Sequence, residues 1–121
     1  NIIWAPGTDN QKFTLTDTDT GEITYNGVRT RLYNMGGYIT MERTGGGATN
    51  IDMQVGVSIN GAPPLPETIV TLTINNDLKW TAVIPLSSSS FSTSDTIKLQ
   101  VQNITNDDDI DLYFGSLTVT L

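Results

Sequence analysis

The chain contains no cysteine and no histidine. Without cysteine it can form no disulfide, no thiolate metal site and no thiol nucleophile. Without histidine it lacks the commonest general base, the commonest transition-metal ligand and the usual switch near neutral pH. Basic residues are scarce too: six Lys and Arg stand against thirteen Asp and Glu, for a net charge of −7. That sign disfavours a non-specific grip on nucleic acid or an anionic membrane, so the expected partners are neutral, cationic or protein. No apolar run approaches the roughly 18 residues of a membrane-spanning helix. The opening, NIIWAPGTDN, is neither a basic-apolar signal sequence nor a methionine start, and is expected to belong to a longer polypeptide with an upstream anchor, shaft or linker.

What is present is period-two patterning. In IDMQVGVSI the residues Ile51, Met53, Val55, Val57 and Ile59 fall on one side of an extended chain and Asp52, Gln54, Gly56 and Ser58 on the other. The same alternation recurs in Val70, Leu72 and Ile74, in Trp80, Ala82 and Ile84, in Ile97, Leu99 and Val101, and in Ile110, Leu112 and Phe114. Turn signals separate these runs: Asn26-Gly27, Asn60-Gly61 before Pro63-Pro64, Asn75-Asn76-Asp77, and the serines from Ser87 to Ser90. Gly36-Gly37 reads as a bulge or bend, and Gly45-Gly46-Gly47 as a flexible loop. No helix of useful length is expected. The pattern predicts an all-β sandwich of about eight to ten antiparallel strands. At 121 residues the chain fits a single domain, residues 1–121, with 1–10 as an N-terminal extension or linker. Its length allows roughly two thirds of the unfolded surface to be buried.

Several motifs could carry chemistry. Asp19-Thr20-Gly21 is the catalytic triplet of dimeric aspartic proteases, but those enzymes hold two aspartates in an apolar, tightly turned setting. Here polar threonines precede the triplet and Glu22 follows it, which favours a turn between two strands. Asp17, Asp19 and Glu22 resemble the opening of a calcium loop, yet Gly21 occupies the fifth position, where an EF-hand needs an oxygen ligand. Asp107, Asp108 and Asp109 are the densest acidic cluster and the remaining calcium candidates, or else a solvated strand connection. Asn103-Ile104-Thr105 fits a glycosylation acceptor. Trp4, Tyr25, Tyr33, Tyr38, Trp80 and Tyr113 could include a sugar-stacking platform. Trp80 is in phase with Ala82 and Ile84 and is expected in the core. Tyr113 is out of phase with Ile110, Leu112 and Phe114, so it is expected to face outward.

The segment STSDTIKLQV, followed after a polar loop by DLYFGSLTVTL, resembles the last two strands of the jelly-roll family that includes tumour necrosis factor and complement globular heads. Asp95, Ile97, Leu99 and Val101 match the first of those strands. Tyr113, Phe114, Gly115, Leu117 and Val119 match the second. GEITYNGVRTRLYNMGGYITM resembles the opening strands of jelly-roll heads in phage and other viral fibres. Ser94 stands where glycine is usual before the aspartate, and the final strand is longer than in the animal cytokines, which turns the resemblance toward the viral branch.

The resemblance implies a homotrimer with Tyr113, Leu117 and Val119 at its interface. It implies a non-enzymatic virion structural or attachment domain without cofactor, whose loops meet a host-surface glycan or protein. The competing expectations are a monomeric carbohydrate-binding β-sandwich of a secreted protein, with a structural calcium, and, more remotely, the aspartic protease.

Overall fold

The computed structural model describes residues 4–5, 12–43, 50–74, 79–105 and 110–120. Eight strands form: β1 (Phe13–Asp17), β2 (Glu22–Tyr25), β3 (Arg31–Arg43), β4 (Ile51–Ile59), β5 (Val70–Ile74), β6 (Lys79–Phe91), β7 (Thr96–Asn103) and β8 (Ile110–Thr120). A single 3₁₀ turn, Pro66–Thr68, is the helical element among the described residues. The strands make two antiparallel sheets, one of five in the order β1-β2-β7-β4-β5 and one of three in the order β6-β3-β8. The β1–β2 and β4–β5 connections stay within one sheet, and every other connection passes to the opposite sheet. The protein is therefore an all-β sandwich.

Alternation explains how the layers meet. On β4 the predicted face, Ile51, Met53, Val55 and Val57, is buried, and the register sets these residues beside Ile74, Leu72 and Val70 of β5 and Leu99 and Val101 of β7. From the facing sheet come Tyr33, Met35, Ile39 and Met41 of β3 and Ala82, Ile84 and Phe91 of β6. Each fully buried side chain of this size contributes about 1.5–3 kcal/mol of transfer free energy. At one end Phe13, Tyr25, Tyr33 and Phe91 form an aromatic cluster with ring centroids 5.2–6.4 Å apart, mostly edge-to-face or tilted, as their ring quadrupoles prefer. The Tyr25 hydroxyl donates to the Arg29 carbonyl at 2.7 Å.

Two sequence expectations change. The serines from Ser87 to Ser90 are not a turn: they form the second half of β6, with Ser89 opposite Tyr33 and Ser87 opposite Met35. An irregularity between Ile84 and Ser87, facing Gly37 and Met35, restores the phase, so that small half-buried serines line the core side beside bulky β3 residues. Gly36-Gly37 does lie at this bulge, although the extra residue belongs to β6. The second change is in β8, where Thr40 pairs with Phe114 but Met41 pairs with Leu112. Tyr113 is the inserted residue, and the phase reverses after it. Ile110 and Leu112 point inward, as do Gly115, Leu117 and Val119, whereas Phe114 is turned out to solvent at 64% exposure. Trp80 lies half-buried against the core on the side its phase implied, and its indole nitrogen is buried without a hydrogen-bond partner among the described residues.

Residue 4, expected in an extension, is docked. The Trp4 amide donates to the Thr18 carbonyl at 2.8 Å, and its ring packs on Gly21 of the β1–β2 turn and Gly115 of β8. A Cβ at either glycine would fall 2.5 or 2.7 Å from the indole, so the ring fits only because both positions lack a side chain. Gly21 belongs to the five-stranded sheet and Gly115 to the three-stranded one, and Trp4 ties their free margins together.

Candidate functional site

Asp17 accepts hydrogen bonds from the Asp19 amide at 2.9 Å and the Thr20 amide at 3.3 Å, and Gly21 adopts φ +74° to reverse the chain. These two amides hold the Asp17 carboxyl below its ordinary value. One of its oxygens, Oδ1, thus accepts both bonds of the turn. Asp19 itself is exposed at the tip of a β-hairpin, the opposite of the apolar setting an aspartic dyad requires. No group of three or more acidic side chains among the described residues converges as a metal site would need. Asp107, Asp108 and Asp109 lie outside the described residues.

The other motifs are absorbed by local structure. The Asn103 side-chain oxygen accepts from the Thr105 amide at 3.0 Å, and the Thr105 hydroxyl accepts from the Asp52 amide at 2.8 Å. Asp95 accepts from the Ser92 amide at 2.8 Å and from the Asn60 side-chain amide at 3.0 Å, stitching the β6–β7 and β4–β5 connections together. Ser94, immediately before it, has φ +76°. Glycine adopts that left-handed backbone more readily than serine does.

Of the aromatic candidates, Tyr25 and Tyr33 are buried, which removes them from any sugar platform. Tyr38, Tyr113 and Phe114 are exposed, and all three belong to the three-stranded sheet. Tyr38 pairs with Val83 on one side and Ser116 on the other, while Phe114 pairs with Thr40, two residues along β3 on the same face. Leu86, 78% exposed, and Leu32, 61% exposed, extend the apolar surface. Beside Tyr38, the small residues Gly36, Gly37, Ser116 and Thr118 leave a shallow hollow walled by Val83 and Leu86. Tyr113, outward as expected, carries the Lys79 ammonium 4.6 Å from its ring centroid, within cation–π range. Burial first, then the nearby Glu42 and Asp111 carboxylates, push its phenol up.

Leu117 and Val119, expected to meet a partner, are half-buried and packed against the protein's own core. Phe114, Tyr38, Val83 and Leu86 take the outward positions instead. The sequence concealed this because a single inserted residue at Tyr113 exchanges the two faces of β8. The chain matches no family model and no curated protein.

Proposed function

We propose that this domain is a non-enzymatic jelly-roll head that trimerises and serves as a virion structural or attachment module, as a fibre head or capsid decoration. The observation that carries this reading is the apolar outer face of the three-stranded sheet. Soluble monomers seldom expose contiguous apolar surface of this kind, and Val83, Leu86 and Phe114 are each more than 60% exposed alongside Tyr38. In a three-fold ring the patch of one copy would be covered by its neighbour. Eight strands in two antiparallel sheets, with most connections crossing between them, support the jelly-roll layout. Three copies would present three sets of loops, so that weak individual contacts gain avidity.

Light scattering tests the trimer: the expected mass is three times the 13.1 kDa of one chain. A monomer at all concentrations overturns it. A second reading, a monomeric carbohydrate-binding module, draws on the exposed Tyr38 and Phe114 rings, since flat aromatic side chains stack on pyranose rings. It requires a monomer that binds neutral oligosaccharides and loses them on Tyr38→Ala.

A further inference from the structure

Charge in this sandwich is sorted by end. Strand direction places Lys12, Arg29 and Arg31 at the end where β1 and β3 begin and β2 and β6 finish: the Lys12 carbonyl accepts from the Asn26 amide at 2.7 Å, and Arg31 pairs with Phe91. All three are exposed, and no ion pair engages them among the described residues. Three of the chain's six basic residues therefore share one end of a protein of net charge −7. The acidic residue beside them, Asp95, is tied down by Ser92 and Asn60. At the opposite end lie Asp17, Asp19, Glu22, Glu42, Asp52 and Asp111 together with Lys79 and Arg43, so the acidic residues outnumber the basic ones there.

The cationic end also carries a loop built to protrude. Residues 26–30 are held from three sides: the Tyr25 hydroxyl donates to the Arg29 carbonyl, the Thr93 hydroxyl to the Gly27 carbonyl, and the Thr30 and Ser92 hydroxyls bond at 3.0 Å. Gly27 sits directly on the Tyr25 phenol, where no side chain would fit. This bracing displays Val28 at 90% exposure next to Arg29.

We infer that this end of the sandwich, centred on Val28, Arg29 and Arg31, binds an anionic saccharide. The inference rests on the attachment reading and specifies its ligand. A guanidinium offers a planar fork to a carboxylate or sulfate, Val28 offers an apolar contact for ring or methyl carbons, and the Asn26 side chain, whose nitrogen donates to the Thr14 hydroxyl, keeps its oxygen to accept from sugar hydroxyls. A long polyanion such as nucleic acid fits poorly, because beyond this end it would run along an acidic surface. A compact glycan terminus does not reach that surface.

Calorimetric titration of the intact protein with sialyllactose, trigalacturonate, a sulfated disaccharide and neutral lactose tests the proposal, with the mass measured on the same samples. At least one anionic sugar should bind while lactose does not, and which anionic sugar binds separates carboxylate from sulfate recognition. Arg29→Ser with Arg31→Ser should weaken that binding at least about tenfold, and Lys79→Ser, at the opposite end, should leave it unchanged. Absence of anionic-sugar binding up to about 10 mM, equal binding of lactose, or indifference to the arginine substitutions overturns it. Tighter binding of an acidic peptide or an oligonucleotide than of any sugar also overturns it. A trimer that ignores anionic sugars defeats this inference alone, whereas a monomer that binds them defeats the trimer alone.

Discussion

The two sheets of this sandwich bury similar inner faces and differ on their outer ones. Outward positions of the five-stranded sheet are polar: Thr14 and Thr16 on β1, Thr24 on β2, Lys98 and Gln100 on β7, Thr71 and Thr73 on β5. Where β4 runs past the end of its pairing with β5, the 60–69 connection covers it. There Leu65 donates its amide to the Val57 carbonyl, and the buried Thr68 hydroxyl accepts from the Val57 amide at 2.9 Å and donates to the Leu65 carbonyl. Nothing on that sheet needs a partner. The three-stranded sheet has Tyr38, Val83, Leu86 and Phe114 on its outer face. A protein that dresses one sheet in threonine and glutamine and leaves the other apolar distinguishes a solvent side from a contact side.

Placing a charge on each outer face distinguishes the two sheets most sharply. Tyr38→Asp with Phe114→Asp should abolish association, reducing the mass in light scattering to one chain while circular dichroism keeps its β signature. Thr73→Asp with Gln102→Asp on the polar sheet should leave the mass unchanged. Association that survives the first pair moves the contact elsewhere.

Next in size is the tie between the sheets. Trp4→Ala should destabilise the sandwich by about 2 kcal/mol, the loss of a half-buried indole in a fitted slot. Gly115→Val should cost a similar amount by expelling the ring, because a Cβ there already stands 2.7 Å from it. Denaturant unfolding measures both, and Trp4 fluorescence should shift to the red in the glycine variant. Wild-type stability in either variant would mean that the margins are held without the tryptophan.

Smaller and opposite in sign is Ser94→Gly at the crossing from β6 to β7. Relief of left-handed strain, ~1–2 kcal/mol, exceeds the ~0.5–1 kcal/mol entropic cost of glycine, so a net gain of about 0.5–1 kcal/mol is expected. A lower melting temperature would show that the serine side chain contributes something the backbone argument omits.

The smallest effect concerns Asp17 in the β1–β2 turn of the polar sheet. Its folded pKa is depressed below 3.8 by the Asp19 and Thr20 amides, so its contribution is present above the unfolded value and disappears as pH falls through the folded one. Asp17→Asn should therefore lower the melting temperature slightly at neutral pH, and the difference from the parent should close in strong acid. A gap that stays constant with pH would assign the loss to side-chain shape rather than to charge.

Much of the fold was legible in the order of residues. β4 begins and ends where the IDMQVGVSI alternation does, and both Asn60 and Gly61 take the positive φ angles that Asn-Gly signals. The outward position of Tyr113 was legible in the alternation, whereas Leu117 and Val119, which a strict alternation sets on the same side, pack inward against the core. The same strict alternation sets Phe114 inside. A strict two-residue period carries no mark of an inserted residue, and every side chain beyond the insertion changes face. The serine run deceived in a related way, because serine favours turns by itself and fits a strand when the facing residues are Tyr33 and Met35.

The all-β class, the span of β4 and the lack of cysteine and histidine chemistry could be read from the residue order, because alternation and composition are local properties. Tertiary structure decided which face of β8 meets water, where Trp4 docks, and that the scarce arginines gather with Val28 at one end of an acidic protein. These depend on register, bulges and the direction of distant strands, and only the folded chain brings residues such as Gly21 and Gly115 against the same ring.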